Sequence, residues 1–303
     1  MLNKLIRAGR PHFLIIGLAL FVFGAAWAAL SGAPFSLARL MFGALVVLLA
    51  QLSVSYSNEY FDLAVDQPGS ATPFSGGSGV LTVNPGLRQA VRWIALVLMA
   101  GSLLSGAAFL WMYSYPLWLM LFVILGNLAG WYYSAPPLRL SARGLGEICY
   151  ILILGFLVPA MGYLTLRGRL DSNGALVLTP LCLYSLASIL DVELPDLEVD
   201  LAGGKKTWVV RRGRSFGFRA IGLLLLASTG YFFLFPWFYG GQLPVDFRIL
   251  GLLSLIPLGA GLVGFVNHPL ERGPATRIST WIILSLLIFA LLADIYLIYL
   301  SAR

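Results

Sequence analysis

The first apolar run of the chain, residues 12–31, reads HFLIIGLALFVFGAAWAALS and contains no Asp, Glu, Lys or Arg. A helix of about 20 apolar residues is long enough to cross the hydrocarbon core of a bilayer. The preceding Lys4, Arg7 and Arg10, with Ala-Trp-Ala near the end of the run, also fit a signal peptide. Because the rest of the chain is equally hydrophobic, we interpret the run as a retained first membrane-spanning helix.

The composition of the whole chain extends this interpretation. Of 303 residues, 59% are hydrophobic and 11% are charged, whereas soluble domains carry about 25% charged residues. This excludes a water-soluble enzyme, a disordered protein and a secreted disulfide-rich scaffold. The sequence predicts an all-α, polytopic bundle of nine transmembrane helices, forming a single integral-membrane domain over residues 1–303. The predicted spans are 12–31, 36–58, 91–110, 115–133, 145–166, 173–190, 216–236, 248–266 and 278–300.

Basic residues outnumber acidic ones by 20 to 13, which gives a net charge of +7. A nucleic-acid-binding protein needs a basic face on a soluble module, and the sequence contains no such module. The positive-inside bias of membrane proteins explains the excess better. We therefore expect a protein of the cell membrane with a cytoplasmic N-terminus and no nucleic-acid partner. In this orientation, the basic run Arg211-Arg-Gly-Arg214 fixes the topology or contacts anionic lipid headgroups.

Eight of the 13 acidic residues fall in two short windows, which lie in the long predicted loops 59–90 and 191–215. Both loops are cytoplasmic in the predicted topology, and long loops in a compact bundle are usually functional. The first window contains Asn58, Asp62 and Asp66, whose i, i+4, i+8 spacing stacks them on one helical face. The second contains Asp196 and Asp200, again four residues apart.

Carboxylates near membrane depth are costly unless they pair or bind cations, so these windows predict a functional site. Oxygen ligands without His or Cys suit a hard cation such as Mg²⁺, which binds through one or two carboxylates plus substrate phosphates. The sequence therefore predicts a cytoplasmic-side active site that binds a diphosphate through Mg²⁺.

Ionising an allylic diphosphate also requires cationic side chains near the leaving group and an electron-rich pocket for the carbocation. The candidate cations are Arg10, Arg139, Arg143, Lys205 and Lys206. Each of them also fits a positive-inside anchor. The candidate aromatic residues are Tyr56, Tyr60, Phe61, Tyr132 and Tyr133.

These motifs resemble those of the UbiA superfamily of intramembrane prenyltransferases. Asn58–Asp62–Asp66 resembles the family's NxxxDxxxD motif, and the stretch from Glu193 to Asp200 resembles its DxPDxxxD motif with Glu leading. The resemblance implies nine transmembrane helices and transfer of a polyprenyl group from its diphosphate. It implies that Mg²⁺ is held by Asp62, Asp66, Asp196 and Asp200, with Asn58 assisting. It also implies that Arg10, Tyr133, Arg139 and Lys205 or Lys206 lie near the diphosphate.

The loops Arg143-Gly-Leu-Gly-Glu147 and Ser75-Gly-Gly-Ser-Gly-Val-Leu81 look most like the MenA branch. That resemblance implies a hydrophobic aromatic acceptor, 1,4-dihydroxy-2-naphthoate, on the way to menaquinone. The alternatives are 4-hydroxybenzoate, homogentisate and geranylgeranylglyceryl phosphate. Gln67 and Val192 stand where many members carry Arg and Lys, a departure that bears on the acceptor more than on the reaction. Glu193 or Asp191 is a candidate to take the acceptor's proton, and we expect no obligate protein partner.

A secondary transporter is the alternative from another functional class. Transporters place their sites near the membrane midplane on broken, internally repeated helices. Here the acidic windows lie at one face and no inverted repeat is visible, although Asp294, deep in the last span, fits a transporter better. We therefore favour prenyl transfer.

Overall fold

A computed structural model describes residues 1–64, 77–238 and 245–302. Within these residues every regular element is helical and no β-strand occurs, which confirms the predicted all-α class. Across the same residues, nine segments are long and apolar enough to cross a membrane, as predicted. The helices are α1 (Leu2–Ala8), α2 (Phe13–Leu30), α3 (Leu37–Phe61), α4 (Val80–Val83), α5 (Arg88–Met112), α6 (Met120–Ser134), α7 (Gly146–Tyr150), α8 (Val158–Arg167), α9 (Ser172–Ala202), α10 (Trp208–Arg212), α11 (Arg214–Phe238), α12 (Phe247–Asn267) and α13 (Arg272–Ser301).

Helix α9 is longer than the sequence predicts. The predicted span ends at 190 and is followed by a loop, but the helix continues to Ala202. The prediction of a loop is wrong over 191–202, where neighbouring helices supply partners to some of the polar side chains. Ser279 Oγ lies 3.0 Å from Asp191 Oδ2, and Arg214 forms an ion pair with Glu198. The second acidic window is therefore helical throughout.

The fifth span, Gly146–Arg167, is not a uniform α-helix. A π-helix over Ile151–Leu157 separates α7 from α8. Such segments are rare and frequently occur at functional sites. Ile153, Leu154 and Leu157 from this segment face the central cavity described below, so the π-helix forms part of its wall.

Helices α2 and α8 approach each other through a reciprocal pair of glycines. A Cβ atom built on Gly24 would lie 1.9 Å from the backbone oxygen of Pro159, and one built on Gly162 would lie 1.9 Å from that of Phe21. Small residues allow this close backbone approach between membrane helices, where lipid offers little hydrophobic driving force for association. The two glycines therefore fix the separation of α2 and α8.

An aromatic cluster packs α9 against the helices on one of its sides. The Tyr184 ring on α9 lies 4.9 Å from Phe289 on α13, and Phe232 on α11 lies 6.0 Å from both Phe289 and Phe247. Trp27 on α2 meets Phe247 edge-on at 5.7 Å. None of these rings lines the central cavity, so this packing leaves another face of α9 for the cavity wall.

Candidate functional site

A cavity of about 320 Å³ lies between α2, α3, α6, the α7–α8 span and α9. Its lining is polar at the end where α3 and α9 carry the acidic windows and mainly apolar elsewhere. The polar lining includes Arg10, Asn58, Glu59, Asp62, Tyr133, Ser141, Glu193, Asp196, Asp200, Lys205 and Thr207. One cavity thus joins both acidic windows to an apolar interior.

The first acidic window contributes Asn58 and Asp62 to this cavity. The Oδ1 atom of Asn58 is buried and has no hydrogen-bond partner in the described part of the chain. Asp62 Oδ2 accepts a 2.7 Å hydrogen bond from Ser134 Oγ on α6. Helix α3 ends at Phe61, and Asp62 begins a 3₁₀ turn over Asp62–Ala64. Asp66 lies outside the described residues.

The second window presents three carboxylates on one face of α9. Glu193, Asp196 and Asp200 all line the cavity, as their i, i+3, i+7 spacing requires at 100° per residue. Asp200 Oδ1 forms a 2.9 Å ion pair with Lys205 Nζ. The chain turns after Ala202, and a backbone hydrogen bond from Lys205 N to Asp200 O, 2.9 Å long, holds this turn in place. The turn therefore brings a cation directly to the carboxylates.

Charge at this end of the cavity is only partly balanced. Burial raises the pKa of Asp62, and the Asp200 carboxylate adds to this rise. Lys205, the Ser134 hydroxyl and Arg139 act in the opposite direction but do not cancel the effect of burial. A further cation would stabilise the ionised form of Asp62 here.

The donor set fits a hard cation bound together with a substrate. No three acidic, His or Cys side chains within residues 1–64, 77–238 and 245–302 come together as a self-sufficient metal cage. Mg²⁺ rarely uses such a cage, because it keeps waters and binds through one or two carboxylates plus substrate phosphates. The unpartnered Asn58 Oδ1, with Asp62 and Asp196 in the same lining, supplies oxygen donors of the required kind.

Three of the five candidate cations, Arg139, Arg143 and Lys206, lie outside the cavity lining. Arg139 is exposed and adopts φ of +43°, although its charge acts on Asp62. Lys206 is also exposed, and its backbone N donates to Ala142 O at 3.0 Å. Arg10 and Lys205 do line the cavity, and the Arg10 guanidinium lies 4.2 Å from the ring centroid of Phe13.

Glu147 is a buried acid to which the sequence analysis assigned no role. It is fully buried, and its Oε1 accepts a hydrogen bond from the backbone N of Trp208 at the start of α10. Its carboxyl also interacts electrostatically with that of Glu193 on α9, which is 7% exposed. Glu147 is the last residue of the Gly-Leu-Gly-Glu stretch, but its position in the sequence does not indicate an interaction with α9.

Glu59 and Arg214 are further residues whose positions the sequence did not indicate. Glu59 accepts a 2.9 Å hydrogen bond from Ser78 N and thereby holds the start of α4 against α3. The sequence predicts that the run Arg211–Arg214 fixes the topology or contacts lipid headgroups. Arg211 and Arg212 are exposed, whereas Arg214 is 4% exposed, so a headgroup contact does not fit Arg214.

The remainder of the cavity is suited to an apolar chain. Its walls come from α3, α6 and the α7–α8 span, and along α3 it extends from Asn58 to Val46, about 18 Å at 1.5 Å per residue. Ser102 Oγ donates to Val46 O at 3.0 Å, and Asn127 Nδ2 donates to Ser102 Oγ at 3.1 Å. The apolar lining includes Val46, Val47, Phe122, Val123, Leu154, Leu157, Val158 and Met161.

The sequence of this chain is similar to those of known proteins. Residues 18–283 match the profile of the UbiA prenyltransferase family. The chain is 23% identical over 194 residues to the 1,4-dihydroxy-2-naphthoate octaprenyltransferase of Bacillus subtilis (strain 168), a match covering 64% of this chain and 59% of that protein. It is 28% identical over 270 residues to the homogentisate phytyltransferase of Synechocystis sp. (strain ATCC 27184 / PCC 6803 / Kazusa), covering 83% of this chain and 82% of that protein.

A solved structure shows the same fold. The UbiA homolog from Archaeoglobus fulgidus bound to GPP and Mg²⁺ superposes with a TM-score of 0.69 at 16% sequence identity. The superposition covers 99% of this chain and 100% of that one. The two proteins therefore share the same fold over nearly the whole of both chains.

Proposed function

Because the chain belongs to the UbiA prenyltransferase family, we propose that it transfers a polyprenyl group from its diphosphate to a hydrophobic aromatic acceptor. The observation that carries this proposal is a cavity whose lining combines Asp62, just after α3, and the carboxylates of α9 with an apolar interior. A diphosphate with a long apolar tail has the same two-part character. Both relatives described above are named for transfer of such a group.

Asn58, Asp62, Asp196 and Asp200 are the proposed Mg²⁺ ligands, together with Asp66 from outside the described residues. Each of these side chains can coordinate a metal ion through oxygen, which matches the preference of Mg²⁺. When bound, Mg²⁺ would neutralise charge on the diphosphate that leaves. The A. fulgidus homolog was solved with GPP and Mg²⁺, which supports the same pairing here.

Lys205 and Arg10 line the cavity and are the proposed contacts to the diphosphate, with Arg139 and Lys206 contributing charge from its rim. As the C–O bond breaks, its electron pair leaves with the diphosphate, and these cations stabilise the growing negative charge. The allylic cation left behind requires an electron-rich neighbour. Tyr133, which also lines the cavity, can present its ring to that cation.

The apolar half of the cavity would hold the prenyl tail and keep water from the cation. Val46, Phe122 and Met161 contribute only hydrocarbon or thioether surface to this region. A carbocation that meets water is hydrolysed, so exclusion of water protects the transfer to the acceptor. The requirement for such a dry groove explains why the reaction belongs in a membrane protein.

The proposed acceptor is 1,4-dihydroxy-2-naphthoate, with homogentisate as the second candidate. The names of the two relatives support both, and the two compounds share a pair of para hydroxyl groups and an acidic substituent. 4-Hydroxybenzoate and geranylgeranylglyceryl phosphate are more distant alternatives. Glu193 is the proposed contact to the acceptor and the preferred proton acceptor over Asp191. Glu193 faces the cavity, whereas Asp191 lies outside its lining and is hydrogen-bonded to Ser279.

We further propose that the acidic end of the cavity faces the cytoplasm and that the protein resides in the cell membrane. The basic segments Lys4–Arg10 and Lys205–Arg214 flank this end, which supports a cytoplasmic N-terminus by the positive-inside rule.

A product assay tests the reaction. Purified protein receives Mg²⁺, geranylgeranyl diphosphate and one of four acceptors: dihydroxynaphthoate, homogentisate, 4-hydroxybenzoate or geranylgeranylglyceryl phosphate. We expect a prenylated product with dihydroxynaphthoate. Product with another acceptor alone would keep the reaction and replace the acceptor. Folded protein that forms no product and releases no diphosphate would refute the proposal and favour the alternative of a secondary transporter.

A further inference from the structure

The stretch of α9 that carries the second acidic window contains a proline. Pro195 immediately precedes Asp196 and has no N–H to donate to the carbonyl of Asp191 four residues earlier. Ser279 Oγ on α13 lies 3.1 Å from this carbonyl oxygen. A neighbouring helix therefore supplies a donor that α9 itself lacks, and the conformation of α9 at this point depends on its neighbours.

Arg214, the first residue of α11, makes several hydrogen bonds to this stretch. Its Nε donates to Leu194 O at 2.9 Å. Its two Nη atoms donate to the two carboxylate oxygens of Glu198 at 2.6 Å each, and Nη1 also donates to Leu270 O at 2.7 Å. With its side chain 3% exposed, Arg214 is a buried clamp between α9, α11 and the segment before α13.

Arg272 reinforces this clamp from α13. Its Nε donates to Pro195 O at 3.0 Å. The two carbonyl groups that directly precede Asp196, those of Leu194 and Pro195, thus each accept a hydrogen bond from an arginine on another helix.

The position of Glu198 on α9 explains what the clamp controls. Glu198 lies two residues from Asp196 and two from Asp200, which places it about 200° around the helix from each of them. It is absent from the cavity lining, whereas Asp196 and Asp200 belong to it. Holding Glu198 and the Leu194 carbonyl from the far side therefore fixes the rotation of α9 about its own axis.

We propose that Arg214 is a positioning residue that sets the rotation of α9 and so aims Asp196 and Asp200 at the diphosphate site. This inference rests on the proposed function, since it assigns Arg214 a role toward the metal ligands named there. Residues that orient metal ligands typically change metal affinity or activity by about 10–100-fold when they are replaced.

Arg214→Lys is the informative variant. Lysine keeps the positive charge but cannot form the bidentate pair while also reaching the carbonyls of Leu194 and Leu270. Arg212→Lys is the matched control, because Arg212 is exposed and its guanidinium lies 4.8 Å from the ring of Phe216. Glu198→Gln perturbs the same ion pair from the other side, because it removes the negative charge of Glu198 with little change in shape. This variant still tests the proposal if Arg214→Lys does not fold.

Mn²⁺ binding in the presence of inorganic diphosphate, followed by electron paramagnetic resonance, measures the metal site without turnover. Circular dichroism with thermal unfolding reports the folded fraction. We expect Arg214→Lys to weaken Mn²⁺ binding and to raise the Mg²⁺ concentration for half-maximal turnover, each by about 10-fold or more. We expect Glu198→Gln to show a smaller shift in the same direction, and Arg212→Lys to behave as wild type.

Normal Mn²⁺ affinity in folded Arg214→Lys and Glu198→Gln would overturn the positioning role and leave the proposed function intact. Lower thermal stability with unchanged Mn²⁺ affinity would likewise reduce Arg214 to a structural residue. Wild-type protein that binds no Mn²⁺ even with inorganic diphosphate present would instead refute the metal site of the proposed function, and the positioning role with it.

Discussion

Replacing Gly162 with Ala tests the close contact between α2 and α8. The added Cβ would lie 1.9 Å from the backbone oxygen of Phe21 and 3.0 Å from the backbone N of Ala25. A carbon–oxygen contact needs about 3.3 Å, so the two helices must separate by about 1.4 Å. The obstacle is backbone rather than a flexible side chain, and the strain cannot be relieved by a rotamer change.

The size of the effect follows from two opposing terms. Overpacking costs about 1–3 kcal/mol, and a backbone obstacle favours the upper end. Alanine is about 1 kcal/mol better than glycine in a helix, which offsets part of this cost. The net loss is about 2 kcal/mol, which for a chain of 303 residues corresponds to a fall in the unfolding midpoint of about 3 °C.

Thermal unfolding in detergent, followed by circular dichroism, measures this change. Gly259→Ala on α12 is the matched control, because nothing lies within 4 Å of a Cβ built at that helical position; its midpoint should stay constant or rise. Gly24→Ala should behave like Gly162→Ala, since its Cβ would meet Pro159 O at the same 1.9 Å. A midpoint for Gly162→Ala equal to that of Gly259→Ala would refute the close helix contact.

Three further predictions concern the site and its orientation. Asp196→Asn should lower turnover by about 100-fold or more while leaving the circular dichroism spectrum unchanged, and wild-type rates in this variant would remove Asp196 from the diphosphate site. Chelation with EDTA should stop product formation and added Mg²⁺ should restore it, as measured by product chromatography; activity indifferent to EDTA would argue against metal-assisted ionisation. An Ala202→Cys variant, at an exposed position after the second acidic window, should react with an impermeant maleimide only from the cytoplasmic side, and labelling from outside would reverse the proposed topology.

The spanning helices could be predicted because their signal is local. An uncharged run such as 12–31 carries its length and apolar character in its own residues, and α2 follows it to within one residue at each end. Helix α9 could not be delimited in this way. Its last two turns contain Glu198 and Asp200, which resemble a solvated loop until Arg214 and Lys205 are seen to pair with them.

The same distinction applies to the candidate site. The spacing of Asp196 and Asp200 placed both on one helical face, and both line the cavity together with Asp62. Arg214 follows exposed Arg211 and Arg212 by a few residues, and no local pattern separates it from them. Its burial depends on the path of the chain through Gly213, where φ is +82°, and on carbonyl groups supplied by other helices.

The π-helix at Ile151–Leu157 lies between α7 and α8 and changes how these two halves of the fifth span are rotated relative to each other. A π-turn contains more residues than an α-turn, so each of its residues contributes less rotation than the about 100° of an α-helix. The face that α7 presents through Glu147 is thereby set independently of the face that α8 presents through Gly162. The π-helix changes the rotation of α8 relative to α7. One span can therefore direct Glu147 towards Glu193 on α9 at one end and pack Gly162 against the backbone of α2 at the other.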